Sequence, residues 1–124
     1  MKIDKKVYNY IEFELQHYEK SKKKIEEMKT DIIEEENEPL GKPAEKKAFK
    51  LMTTVSLIQL EKRVQAIEKV KESLNEDYKK FFEWNYIIQA GIVKTCNEIP
   101  ICERTYYNMR DKIVYAVGQE MGLF

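Results

Sequence analysis

Ile92-Val-Lys-Thr-Cys-Asn-Glu-Ile-Pro-Ile-Cys-Glu-Arg-Thr-Tyr-Tyr-Asn-Met-Arg110 reads as a short helix, a tight turn and a second helix. Such a pair needs buried groups at a fixed register and a small residue where the helices cross. Counted from the turn, Cys96 takes the small crossing position, Ile99 ends the first helix and Ile101 plugs the turn. Tyr106 and Met109, three apart, share the inner face of the second helix. Glu103, Arg104, Tyr107 and Asn108 are left on the outside, the side a recognition helix turns toward DNA. Pro100 forces Ile99 away from helical geometry and stops the first helix, although unlike the usual Gly it cannot take a positive φ. Cys102 becomes the N-cap of the second helix, a place Ser or Thr fills better. An ordinary helical hairpin that never meets nucleic acid shares this spacing and is the competing reading.

Downstream, Ile113, Val114, Val117 and Met121 continue the inner face. Gly122 offers a stop, after which Leu123 and Phe124 fold back. Upstream, Asn75 is placed to cap a helix whose first turn holds Glu76 and Asp77. Tyr78, Phe81, Phe82, Trp84 and Tyr86 follow, the most aromatic segment of the chain. Aromatic clusters stack bases in single-strand binders. A unit as small as residues 75–124, however, needs large side chains to bury enough area, so these rings are read as core.

The first half of the chain reads as an arm. Ile11, Tyr18, Ile25 and Ile32 recur every seven residues, with Val7 and Met28 on the adjoining seam, so residues 4–36 are predicted to form one long helix. Lys20 to Lys24, broken only by Ser21, reads as a solvated face. Asn37-Glu-Pro-Leu-Gly-Lys-Pro43 then demands a loop at about 37–43. A second long helix follows over about 44–74, with Leu60, Ile67, Leu74 and Phe81 on one seam and Leu57, Val64 and Tyr78 on another. The expected fold is therefore all-α. Residues 1–74 form a long antiparallel helical hairpin of coiled-coil type, and residues 75–124 form a compact helix-turn-helix bundle. Phe13, Leu15, Phe49 and Met52 are left over as surface for another subunit or a different partner, with a homodimer as the expectation.

Composition narrows the function. The 124 residues are 35% charged, with only four glycines and three prolines, which favours solvated helices over sheet. No apolar run is long enough to span a membrane and no signal core opens the chain, so the expected location is the cytoplasm. Cys96 and Cys102, with the one histidine far away at position 17, make no metal site. Packing is the reading for both thiols, with a disulfide across the turn as the alternative. No nucleophile–base pair, phosphate loop or ligand cluster is present, so neither an enzyme nor a cofactor is expected. Net charge is zero, from 22 basic and 22 acidic side chains. From residue 85 onward Lys94, Arg104, Arg110 and Lys112 are balanced by Glu98, Glu103, Asp111 and Glu120. Phosphate neutralisation supplies most non-specific affinity, so a module this neutral needs a partner on DNA.

Ile99-Pro-Ile-Cys-Glu-Arg-Thr-Tyr-Tyr-Asn-Met-Arg-Asp-Lys-Ile-Val-Tyr-Ala-Val-Gly-Gln-Glu-Met-Gly122 resembles the C-terminal pattern of the RinA/ArpU-type transcriptional regulators of phages and prophages. Those proteins end in a helix-turn-helix similar to region four of sigma-seventy factors. Tyr10-Ile-Glu-Phe-Glu-Leu-Gln-His-Tyr-Glu-Lys-Ser-Lys-Lys-Lys-Ile-Glu-Glu27 is similar to the family's N-terminal helix. The resemblance implies a late-gene activator that binds double-stranded promoter DNA in a bacterial host, in association with RNA polymerase. It implies that Arg104, Thr105, Tyr107, Asn108 and Arg110 face DNA. With the remaining outward and basic positions, the candidate DNA-binding set is Lys94, Glu103, Arg104, Thr105, Tyr107, Asn108, Arg110 and Lys112. The alternatives are a small terminase-like packaging subunit, which joins a helix-turn-helix to coiled-coil helices in rings, and a helical protein-interaction module.

Overall fold

The computed structural model describes residues 3–36 and 43–124, and among these every regular element is helical, so the fold is all-α. The helices are α1 (Lys5–Gln16), α2 (Tyr18–Glu36), α3 (Pro43–Ser73), α4 (Glu76–Phe82), α5 (Ile92–Glu98) and α6 (Glu103–Glu120). A single π-helical turn, Glu83–Ile87, extends α4. No helix among the described residues is long and apolar enough to cross a membrane. The expected loop at about 37–43 lies outside the described residues, except for Pro43. That residue opens α3, where a missing N–H removes no intrahelical bond.

The single helix expected over residues 4–36 is instead two, broken at His17. The cause is a diverted acceptor. The carbonyl of Gln16 accepts from the Gln89 side-chain amide at 2.6 Å, and the His17 ring nitrogen Nδ1 bonds the Phe13 carbonyl at 2.8 Å. Side chains inserted into the i→i−4 ladder are a recognised source of helix breaks. Gln89 reaches this position from a left-handed backbone, φ 57°.

The break divides the work of the first half. α2 packs along α3, and the two run in opposite directions: Tyr18 donates to Glu68 at 3.1 Å, while Lys29 pairs with Glu61 at 3.4 Å. α1 packs instead on α6 and on the π-helical turn. One core cluster accordingly crosses residue 74. It runs from Ile11 and Leu15 through Tyr18, Leu60, Val64 and Ile67 to Phe81, Phe82, Tyr86, Tyr106, Ile113 and Val117. The aromatic segment is core, as its size requires: Tyr18 and Tyr86 each meet Phe82, and Phe81 meets Tyr106 at 5.2 Å. Centroid separations in this range favour tilted and edge-on ring pairs.

Two capping devices fix the ends of the C-terminal half. Asn75 accepts from the Tyr78 backbone N–H at 3.0 Å and starts α4. At the far end Gly122, φ +75°, lets its own N–H reach the Gln119 carbonyl and the Leu123 N–H reach that of Gly118. This paired bonding closes α6 and turns Phe124 back onto Tyr115, with the rings stacked at 5.4 Å. Gly118 makes room for that return. A Cβ there would lie 2.9 Å from Ile11 Cδ1 and clash with the edge of the Phe124 ring. Replacing Gly118 with Val should therefore push α1 and Phe124 off α6. Overpacking of this kind costs about 1–3 kcal/mol, more than any gain in helix propensity returns. Urea denaturation checks it, and a variant as stable as the wild type would contradict the close approach.

Candidate nucleic-acid interface

The turn between α5 and α6 follows from its residues. Gly91, φ 88°, sits before α5 and accepts from the Thr95 N–H at 3.0 Å. Ile99 is extended, φ −107° and ψ 106°, as Pro100 requires, and the Ile101 N–H returns to the Cys96 carbonyl at 3.3 Å. Cys102 is extended ahead of α6, and its sulfur lies 3.3 Å from the Thr105 hydroxyl rather than capping a backbone N–H. Ile99, Tyr106 and Met109 are buried and Ile101 packs on the core. The small crossing position differs from expectation. Thr95 is the fully buried residue of α5, its hydroxyl without a hydrogen-bond partner, and Cys96 is only half-buried.

The outer stripe of α6 carries Arg104, Tyr107, Asn108 and Asp111, all exposed and spaced i, i+3, i+4, i+7. Glu103 and Lys112 flank it and are also exposed. Lys94 projects from α5, its ammonium 5.8 Å from the centre of the Trp84 ring. Six of the eight candidate residues therefore lie at the surface around the turn and along α6. Thr105 is half-buried beside Cys102. Arg110 is the exception that matters. Its Nε donates to the Tyr8 hydroxyl at 2.7 Å, and its guanidinium lies 5.4 Å from the Tyr8 ring and 4.9 Å from the Tyr107 ring. A side chain read from sequence as facing DNA is thus part of the contact between α1 and α6.

That contact is a polar network that sequence spacing could not have paired. The Tyr8 hydroxyl accepts from Arg110 and donates to Asp111 at 2.7 Å. Four residues on in α1, Glu12 accepts from the Tyr86 hydroxyl at 2.5 Å. Tyr106 donates to Asn85 at 2.6 Å. Asn85 and Tyr86 are neighbours in the π-helical turn, and the extra residue there accompanies two successive polar side chains turned inward. Burial pushes the Tyr86 and Tyr106 hydroxyls above their ordinary range, so both remain donors. Burial also pushes the Glu12 carboxyl up, against the bond from Tyr86 and the charge of Arg110. At the turn, the hydrogen bond with Thr105 draws the Cys102 thiol down, whereas burial raises that of Cys96. Among the described residues, no group of three or more acidic, His or Cys side chains is placed to hold a metal.

Comparison with protein-family models, curated proteins and solved structures gave no match for this chain.

Two outcomes test the network. Tyr86→Phe removes the buried hydroxyl donor from the half-buried Glu12 carboxylate, and stability should fall by about 1–3 kcal/mol. Glu12→Gln tests the carboxyl itself. A carboxyl whose folded value is raised contributes stability at acid pH that is lost as pH climbs through that value. The stability of Glu12→Gln relative to wild type should therefore grow from pH 4 to pH 7 in urea titrations. A flat or falling difference would mean that Glu12 is not held up by burial.

Proposed function

We propose that this chain is a DNA-binding transcriptional regulator of the phage and prophage kind. In this reading α6 enters the major groove of promoter DNA and works beside RNA polymerase. The observation that supports it best is the outward stripe of α6. Among the described residues the Arg104 side chain makes no hydrogen bond or ion pair, and it stands one turn from Asn108 at the beginning of the helix. N-terminal residues of a recognition helix are the ones that reach base edges. Arg pairs in bidentate fashion with guanine and Asn with adenine. The resemblance of residues 99–122 to the RinA/ArpU-type pattern supports the same reading. Arg110 takes a different part in it: held by Tyr8, it sets how α6 sits on α1 and leaves Arg104 and Lys112 as the free bases of α6.

The neutral charge of the module assigns part of the affinity to a partner already on DNA. Promoter fragments recovered with polymerase can be compared with random fragments across a salt series. Arg104→Ala should reduce the promoter-to-random ratio by about tenfold or more, the worth of one bidentate pair. Lys112→Ala should weaken both classes alike and lower the salt slope by about one unit. An unchanged ratio for Arg104→Ala, with and without polymerase, would mean that α6 does not read bases.

A further inference from the structure

α3 buries one side for only part of its length. Leu57, Leu60, Val64, Ile67 and Val70 are buried, whereas Phe49, Leu51, Met52, Val55 and Ile58 are between 45% and 71% exposed. At 100° per residue, Ala48, Leu51, Val55, Ile58 and Gln59 fall on one strip directed away from the Leu57–Leu60–Val64 face, with Met52 beside it. Residues 51–60 contain no ionisable side chain in a chain that is 35% charged. Solvated helix faces are not built this way, and a contiguous apolar strip marks a contact.

We infer that this strip is the seat of a second copy of the same chain, with the two α3 helices pairing antiparallel about a two-fold axis at Val55. Charge favours a copy of itself as the occupant. Residues 51–59 of one chain would lie against residues 51–59 of the other with no like charges opposed, the condition an isologous contact must meet. Area is sufficient as well. With side chains of this size exposing roughly 150–200 Å² each when free, Leu51, Met52, Val55 and Ile58, with Tyr10 and Leu123 at the foot of the strip, offer on the order of 500 Å² per copy. A pair then covers about 1,000 Å², the lower bound of a specific interface. The pairing also covers a groove of about 610 Å³ at the foot of the strip, lined by Tyr10, Gln59, Lys62, Ala66, Met121 and Leu123. Antiparallel pairing about residue 55 brings residue 48 of the second copy opposite residue 62, so Ala48, small enough for a close approach, lies over that groove. The inference does not depend on DNA binding, since it concerns the face of α3 and not α6.

Sedimentation of the full chain at micromolar concentration tests it. The wild type should be a dimer, and Val55→Glu should weaken association at least about tenfold, because the pair would bury two facing carboxylates. Leu51→Glu should do the same. Circular dichroism should be unchanged, as both positions are exposed in the single chain. Orientation is read separately in a Cys96→Ser, Cys102→Ser background. Val55→Cys should cross-link to its own copy under air oxidation. Lys62→Cys should not, because antiparallel pairing separates the two copies of residue 62 by about 20 Å. A monomeric wild type would assign the strip to another protein and overturn the proposal. So would a ring of many copies, a dimer untouched by both glutamates, or equal cross-linking at 55 and 62, which is the mark of a parallel pair.

Discussion

The close approach of α1 to α6 is the constraint on which the rest of the structure depends. It exists because Gly118 has no side chain where Ile11 arrives. On one flank Tyr8 ties Arg110 and Asp111 together, and on the other Glu12 receives the Tyr86 hydroxyl. Apolar contact supplies the attraction and the polar pairs supply the register, since each would be costly to leave unmade in a half-buried setting. Once α1 is fixed, the break at His17 follows. The chain must leave α6 and redirect along α3, and Gln89 takes the carbonyl that a continuous helix would have used.

This arrangement changes how the α5–turn–α6 unit is held. The core cluster continues across residue 74 into its second helix. That helix is held from beneath by the first helix of the chain, with the π-helical turn wedged alongside. The outward stripe from Arg104 to Asp111 is thereby fixed in direction, while α2 and the first half of α3 extend away from it. Recognition depends on side chains held by rigid elements, so a helix clasped on its inner face suits the proposed reading of bases. The free face of α3 stands apart from that surface.

Much of this was legible in the sequence, for identifiable reasons. Tyr106, Met109, Ile113 and Val117 were readable because helical periodicity is local, and Asn75 and Gly122 because caps are chemical signatures at fixed offsets. The heptad seams gave the partners of α2 and α3. What could not be read was whatever depended on residues distant in the chain. Arg110 is separated from Tyr8 by 102 positions and Gln16 from Gln89 by 73, and no spacing rule links such pairs. Arg110 therefore read as a residue facing DNA and residues 4–36 as one helix. Thr95 and Cys96 were confused for a smaller reason: both are small, adjacent and compatible with a crossing, and an extended turn at Pro100 moves the register by one.

The measurement that tests this account most directly is native-state hydrogen exchange on the full chain, with and without Ile11→Ala. If α1 and α6 are one cooperative unit, the amides of both helices should open with about the same free energy. Ile11→Ala should then lower the two together, by roughly 2–4 kcal/mol for a buried aliphatic truncation. If instead α1 exchanges as a frayed segment while the amides of residues 106–117 keep their full protection in the variant, then α1 does not hold α6, and the central claim is wrong.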